Sequence, residues 1–141
     1  MKSKTILEEG LCNVLEQNLK QRQLRFYREV PLISKRIDYL CVDQELKELI
    51  AIEIKVKDWK RALQQALTYR LGANKVYIAL WHEYIHRIDK EVLDRYGVGI
   101  LEVNGNVEIK QKAKPSPVIQ SSLNNALWRY IQKQQRWGTE Q

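Results

Sequence analysis

Residues 34–69 read SKRIDYLCVDQELKELIAIEIKVKDWKRALQQALTY, and the elements predicted within this stretch indicate the architecture of the chain. Arg36–Val42 and Leu49–Val56 are rich in apolar and β-branched residues, which predicts two strands joined as a hairpin by the short polar segment between them. Leu49–Val56 is almost continuously apolar, as expected of a strand that is covered on both faces. Asp58 can then cap a helix over Trp59–Leu71.

Elements on both sides of this stretch complete an α/β pattern. We predict a helix over residues 4–20, strands over Arg25–Leu32, Lys75–Leu80, Val98–Val103 and Val107–Lys112, a helix over His82–Tyr96 and a last helix that begins at Ser121 or Ser122. The helix between Leu49–Val56 and Lys75–Leu80 makes these two strands parallel. Pro31 indicates that the first strand lies at an edge of the sheet or ends near this residue.

The predicted fold class is therefore α/β, with a mixed β-sheet flanked by helices. The order is α-β-β-β-α-β, followed by a helix, a short hairpin around Asn104-Gly105 and a C-terminal helix. Residues 1–113 are assigned to the α/β domain. Residues 114–141 are assigned to a linker and a C-terminal helix that packs on the same domain or extends it.

Length and charge set limits on the function. The chain has 141 residues and a formal net charge of +7, which indicates one domain and favours a polyanionic partner, nucleic acid first. No run approaches the ~20 apolar residues of a membrane span, and no secretion signal is recognisable, so we expect a cytoplasmic protein without a membrane partner. Cys12 and Cys41 are expected to be reduced, buried thiols.

Two charged residues interrupt the most apolar strand. Glu53 and Lys55 alternate onto the same face as Ala51, where burial is costly unless each charge is paired or bound to a metal. Asp38 lies on the neighbouring strand of the hairpin, so the two carboxylates can converge on one point. Carboxylate oxygens are the ligands that Mg²⁺ or Mn²⁺ requires. The alternative is an ion pair between Glu53 and Lys55 at a strand end that reaches solvent.

Together, these residues resemble the PD-(D/E)XK nuclease superfamily, which has the restriction-endonuclease-like fold. Asp38 is similar to the first acid of the motif, and Glu53 and Lys55 are similar to its E-x-K triplet. Gln65 and Tyr69 lie four residues apart on one helix face, and they resemble the Q-x-x-x-Y motif of the RecB-like branch. The resemblance implies metal-dependent hydrolysis of phosphodiester bonds in DNA, and it favours an endonuclease over an exonuclease.

The resemblance also implies a metal site for Mg²⁺ or Mn²⁺. Asp38 and Glu53 would hold the metal, together with the backbone carbonyl of Ile54, and Glu8 on the first helix could complete the shell. The family pattern has a proline before the first acid, whereas this chain has Ile37.

The remaining roles follow from the same resemblance. Lys55 would position the attacking water, Gln65 would orient the scissile phosphate or Lys55, and Tyr69 would support the site. The basic residues predicted to bind the nucleic-acid backbone are Lys35, Arg36, Lys57, Lys60, Arg61 and Arg70.

A second basic set lies near the C-terminus and could extend this surface. It comprises Lys110, Lys112, Lys114, Arg129, Lys133 and Arg136. Trp128 and Trp137 lie among these residues and could stack on unpaired bases, but their size favours packing or a dimer contact. The last helix is thus also a candidate homodimer interface.

A competing motif occurs at His82-Glu83-Tyr84-Ile85-His86, which has the H-E-x-x-H pattern of zinc proteases. Two histidines four residues apart on a helix can bind Zn²⁺, with the glutamate as general base. No further ligand motif follows, so we interpret the pattern as a coincidence and keep a zinc metallopeptidase as the weakest alternative. A catalytically inactive nucleic-acid-binding module of the same fold is the other alternative.

Overall fold

The computed structural model describes residues 6–136, which form four α-helices, one 3₁₀ helix and six strands. The helices are α1 (Ile6–Gln21), α2 (Trp59–Tyr69), α3 (Lys90–Tyr96) and α4 (Ser121–Arg136). The strands are β1 (Arg25–Leu32), β2 (Lys35–Asp43), β3 (Glu48–Lys55), β4 (Lys75–Trp81), β5 (Gly99–Val103) and β6 (Val107–Gln111). The 3₁₀ helix spans His82–Arg87.

All six strands belong to one mixed sheet, in the order β1-β2-β3-β4-β5-β6. The pairs β1–β2, β2–β3 and β5–β6 are antiparallel, whereas β3–β4 and β4–β5 are parallel. The predicted α/β class, the element order and the parallel pairing of β3 with β4 are confirmed. Pro31 lies on the edge strand β1, where a missing backbone N–H is tolerated.

Helices cover both faces of the sheet, and β3 contributes to both cores. On one face, α1 packs Leu11, Leu15 and Leu19 in a cluster with Ile52 and Ile54. On the other face, α2, α3 and α4 contribute Ala62, Ala66, Leu93, Leu127 and Ile131 to a cluster that contains Ala51. None of the helices within residues 6–136 is both long and apolar enough to span a membrane.

The turn between β2 and β3 reverses the chain without an Asn-Gly pair. The side chain of Asp43 accepts a hydrogen bond from the backbone N–H of Leu46 at 3.1 Å, and Lys47 adopts a positive φ of 53°. A turn that is closed by an aspartate side chain in this way can form without the Asn-Gly pair that commonly marks a hairpin. The hairpin predicted from the polar spacer is therefore formed, and it brings β2 beside β3.

Helix limits follow the predicted caps, with one correction. Asp58 accepts a hydrogen bond from the N–H of Arg61 at 3.1 Å and begins α2 as predicted. The prediction of one helix over His82–Tyr96 is wrong. The backbone is extended at Ile88, and Asp89 starts a new helix by accepting from Val92.

Candidate active site

The β2–β3 ladder opens at the position where the first predicted acid lies. Backbone pairing runs from Asp43 and Glu48 to Tyr39 and Ile52. Beyond that point, Oδ2 of Asp38 accepts a hydrogen bond from the backbone N–H of Ile54 at 2.9 Å. The strands therefore separate here because a carboxylate takes the place of a backbone carbonyl, and Asp38 is held by β3 at the mouth of the opening.

Glu53 lies next to Asp38 and is almost completely buried, with 1% of its surface exposed. Burial, and then the neighbouring charge of Asp38, raise the pKa of Glu53 to about 8. Hydrogen bonding from Tyr69 and the charge of Lys55 act in the opposite direction. A carboxyl group with such a pKa keeps a proton near neutral pH, and a cation can replace that proton.

Tyr69 joins helix α2 to both strands of the site. Its hydroxyl lies 2.6 Å from Oε1 of Glu53 and 2.7 Å from the carbonyl oxygen of Arg36. Burial and the charge of Glu53 raise the pKa of Tyr69 well above its usual range, so the hydroxyl keeps its proton. Because it has a single proton, it can donate to both neighbours in turn but to only one fully at a time.

Gln65 and Lys55 complete the surroundings of the Glu53 carboxylate. With its amide nitrogen turned toward Glu53, Gln65 donates to both carboxylate oxygens, at 3.1 Å to Oε1 and at a shorter distance to Oε2. Nζ of Lys55 lies 3.9 Å from Oε2. The structure thus brings five predicted residues together: Asp38, Glu53, Lys55, Gln65 and Tyr69. Their catalytic roles stay predictions.

The donor set fits a hard divalent cation. Two carboxylates converge where the strands part, and oxygen ligands of this kind suit Mg²⁺ and Mn²⁺, with water filling the remaining positions. Within residues 6–136, no group of three or more His, Cys, Asp or Glu side chains is arranged to hold a metal. Asp38 and Glu53 are therefore the only acidic pair that we assign, and the parts given to Glu8 and to the carbonyl of Ile54 stay predictions.

A basic cavity of about 400 Å³ adjoins the site. Its lining residues are Lys35, Asp58, Lys60, Arg61, Gln64 and Gln65. Gln65 thus belongs both to the cavity and to the hydrogen-bond network of Glu53. The one acid in the lining, Asp58, is already engaged as the cap of α2. We call this cavity the basic groove.

The other predicted basic residues lie outside the lining of the basic groove. The side chains of Arg36 and Lys57 are exposed. Arg70 lies past the C-terminal end of α2, where its guanidinium donates to the carbonyl oxygen of Tyr96 at 3.2 Å and covers the Tyr96 ring. This contact gives Arg70 a packing role between α2 and α3, and its predicted role in nucleic-acid binding stays a prediction.

For the residues predicted to act near the C-terminus, the structure likewise shows packing contacts and leaves the binding roles as predictions. Trp128 is half-buried and packs against the core cluster on the α2 side of the sheet. Leu127 and Ile131 are buried within the chain, so the apolar side of α4 is already used, and the homodimer stays a prediction. Trp137 and the side chain of Arg136 lie outside the described residues.

The H-E-x-x-H pattern does not form the predicted helix. Residues His82–Arg87 are a 3₁₀ helix, in which side chains four positions apart point about 120° away from each other. The His82 ring instead makes an edge contact with Trp81, and the His86 side chain is exposed. The geometry needed by a zinc-protease motif is therefore missing, and this alternative is wrong.

Sequence reasoning missed Glu29 on β1. This residue has a positive φ of 53°, which is uncommon for a residue other than glycine. Its neighbours Arg28 and Val30 pair with Tyr39 and Ile37, so Glu29 falls opposite Asp38 in the register. Its charge also contributes to the raised pKa of Tyr69. One acidic residue among the apolar and charged residues of β1 gave no indication in the sequence that it would lie opposite Asp38.

Comparison with known proteins gives a fold but no family. No protein-family model matches the chain, and no curated protein has a matching sequence. The solved structures to which it is similar include a protein of unknown function, SPO1766 from Silicibacter pomeroyi, at a TM-score of 0.68 and 15% identity, covering 96% of this chain and 91% of that protein. At this identity, the likeness shows a shared fold alone.

Two further solved structures are similar to this chain, with lower TM-scores. A repair endonuclease from Pyrococcus abyssi has a TM-score of 0.47 and 18% identity, covering 82% of this chain and 49% of the endonuclease. Pyrococcus furiosus SfsA, in complex with Ca²⁺, has a TM-score of 0.40 and 14% identity, covering 81% of this chain and 62% of SfsA. These TM-scores are too low to support an argument about function.

Proposed function

We propose that this protein is a metal-dependent nuclease that hydrolyses phosphodiester bonds of DNA, and that it acts as an endonuclease. The observation that carries the proposal is the convergence of Asp38 and Glu53 where β2 and β3 separate. A buried carboxylate beside a second carboxylate is costly in a purely structural role. A divalent cation held between the two would offset that cost.

Each residue of the site has a role that its contacts support. Asp38 and Glu53 would hold Mg²⁺ or Mn²⁺, and Tyr69 and Gln65 would fix the orientation of Glu53. A bound divalent cation would stabilise the negative charge that develops on the phosphate during hydrolysis. Lys55 would orient the water whose oxygen forms a bond to phosphorus while the bond to the leaving oxygen breaks.

The basic groove supports a polyanionic substrate. Lys35, Lys60 and Arg61 line the basic groove together with Gln65. A phosphate bound in the groove would therefore lie next to the hydrogen-bond network of Glu53. Phosphate contacts of this type position a nucleic acid without reading its sequence. The formal net charge of +7 favours the same class of partner.

A plasmid-cleavage assay tests the proposal. Supercoiled plasmid is incubated with the protein in Mg²⁺, in Mn²⁺ and in EDTA, and nicked and linear forms are quantified. We expect cleavage only with the metal, and a loss of about 100-fold or more in rate for Asp38→Ala and for Lys55→Ala. Glu45→Ala and Lys90→Ala remove exposed charges away from the site and should cleave at the wild-type rate.

The same assay separates the second candidate, a nucleic-acid-binding module without catalysis. That candidate is supported by the basic groove, which would bind phosphates whether or not a metal is present. It predicts retardation of the plasmid on a gel without any nicking. Cleavage that persists unchanged in Asp38→Ala and Lys55→Ala would overturn the mechanism proposed above.

A further inference from the structure

A second cavity lies between helix α4 and the turn of the β2–β3 hairpin, with a volume of about 480 Å³. The residues that give it its chemistry are Arg25, Gln44, Lys47, Trp128, Gln132 and Gln135. We call this cavity the hairpin cavity. Its volume falls within the range of about 300–1,000 Å³ that is usual for small-ligand sites.

Charge and polarity in the hairpin cavity suit an anionic ligand with polar edges. Arg25 and Lys47 carry positive charge, and the lining that the described residues form contains no acid. Gln44 and Gln132 each supply an amide that can both donate and accept hydrogen bonds, whereas Nε2 of Gln135 already donates to the Tyr27 hydroxyl at 3.4 Å. Such amides match the donor and acceptor pattern on the edge of a nucleobase.

Trp128 adds a flat aromatic wall. It is half-buried because part of its indole packs against the core cluster, while the rest lines the hairpin cavity. An indole that the core already holds in place can stack on a base at little cost in side-chain entropy.

The hairpin cavity is separate from the site of Asp38 and Glu53. Val42 lines the cavity and pairs with Leu49 on β3. Along β2, Val42 lies four residues from Asp38. At about 3.4 Å per residue, this separation is roughly 14 Å along the hairpin. The hairpin cavity therefore cannot be part of the first coordination sphere of a metal at Asp38 and Glu53.

We propose that the hairpin cavity binds one unpaired nucleotide of a nucleic-acid strand. The base stacks on Trp128, the glutamine amides contact its edge, and Lys47 and Arg25 contact the phosphate. An acidic peptide would use the cations but would leave the indole and the amides without matching partners. The inference rests on the proposed nucleic-acid partner, not on catalysis, and it makes single-stranded segments the preferred ligand over fully paired duplex.

Fluorescence anisotropy tests this assignment with the full chain in EDTA, so that no cleavage occurs. The probes are fluorescein-labelled dT15 and a blunt duplex of the same length. Wild-type protein should bind dT15 more tightly than the duplex. Trp128→Leu and the double variant Lys47→Glu/Gln132→Glu should each weaken dT15 binding by about tenfold or more, while Trp128→Phe keeps most of it.

Matched controls keep the test decisive. The double variant changes only surface positions, so it reports on binding even if Trp128→Leu fails to fold. Lys90→Glu/Gln17→Glu places the same charge changes at exposed positions of α3 and α1 and should bind dT15 as the wild-type protein does. Equal loss in this control, or no loss in the Lys47→Glu/Gln132→Glu variant, would overturn the assignment.

Failure of the nuclease proposal gives a different pattern. Intact dT15 binding that depends on Trp128, without any plasmid cleavage, would leave the hairpin cavity assigned and reject only the catalytic role. Plasmid cleavage without measurable dT15 binding would reject the assignment of the hairpin cavity and leave the catalytic role in place.

Discussion

The hydroxyl of Tyr69 lies 2.6 Å from Oε1 of Glu53, in the space where β2 and β3 have separated. The same hydroxyl lies 2.7 Å from the carbonyl oxygen of Arg36, so one side chain on α2 bridges both strands. The position of the Glu53 carboxylate thus depends on a residue from a different element. Tyr69 is a positioning residue in this account, because it reaches a metal or substrate only through Glu53.

Replacing Tyr69 by phenylalanine should therefore affect both stability and metal binding. The variant Tyr69→Phe removes the hydroxyl that contacts both the Arg36 carbonyl and the Glu53 carboxyl, which should cost about 1–3 kcal/mol of unfolding free energy. Loss of an orienting hydrogen bond should lower Mn²⁺ affinity by about 10- to 100-fold. Urea unfolding and Mn²⁺ titration calorimetry measure the two effects.

Tyr39 provides a matched control on the opposite face of the sheet. Tyr39 directly follows Asp38 in β2, but its hydroxyl donates to Oε2 of Glu16 at 2.6 Å, the same chemical contact on the face of the sheet opposite to the Asp38 and Glu53 carboxylates. Tyr39→Phe should destabilise the fold to a similar degree and leave Mn²⁺ affinity unchanged. If both variants lowered Mn²⁺ affinity equally, the positioning role of Tyr69 would be rejected.

Stability in EDTA should fall as the pH rises toward 8. The folded-state pKa of Glu53 is raised from the unfolded value of 4.5 to about 8, so the folded protein holds a proton that the unfolded chain releases. This contribution is fully present below pH 4.5 and is lost as the pH rises through 8. Between these limits, the unfolding free energy should fall by about 1.4 kcal/mol per pH unit.

Two variants check the origin of that slope. Glu53→Gln has no titrating group and should remove the slope between pH 4.5 and 8. Burial acts to raise the pKa of Glu16, but hydrogen bonds from Arg28 and Tyr39 outweigh it and lower that pKa. Glu16→Gln should therefore lower the unfolding free energy by a constant amount above pH 4.5 and change its pH dependence only below that value. A wild-type slope that survives in Glu53→Gln would contradict the assignment.

Neighbouring glutamines on α2 should differ sharply in their effect on cleavage. Gln65 donates to the Glu53 carboxylate, whereas Gln64 is exposed and lines only the basic groove. We expect Gln65→Ala to reduce kcat by about 10- to 100-fold and Gln64→Ala to change mainly KM. Steady-state cleavage of a labelled duplex separates the two constants. Equal losses of kcat in both variants would show that the Gln65 contact has no special role.

The basic groove should set the salt dependence of binding. If Lys35 and Arg61 each neutralise one phosphate, the double variant Lys35→Ala/Arg61→Ala should reduce the slope of log affinity against log salt by about 1.8. Lys90→Ala/Arg95→Ala removes the same two charges from α3 and should leave the slope unchanged. Binding is measured in EDTA at four salt concentrations. A slope that does not differ between the two variants would remove the groove from the binding surface.

Much of the fold followed from local patterns in the sequence. The predicted limits of β1, Arg25 and Leu32, are those that the structure has, and its apolar residues include Phe26 and Val30. The face shared by Ala51, Glu53 and Lys55 followed from the two-residue period of a strand. That same period, with the hairpin, was enough to place Asp38 beside Glu53.

Features that depend on tertiary contacts could not be predicted in this way. The positive φ of Glu29 has no local sequence signal, and the break at Ile88 within the predicted helix depends on its burial against the core. The raised pKa of Glu53 depends on burial by α2 and on the distance to Asp38, neither of which a linear sequence contains. The hairpin cavity joins residues about 80 positions apart, from Lys47 to Trp128.

The metal-dependent mechanism requires Asp38 and Glu53 to hold a divalent cation together. A crystal of the full chain soaked in Mn²⁺ would show this binding, because anomalous scattering locates the metal independently of activity. We expect one Mn²⁺ peak between the carboxylates of Asp38 and Glu53, and no peak there in an identically soaked Asp38→Asn crystal. A wild-type map without a peak at this position, or an equal peak in Asp38→Asn, would contradict the account.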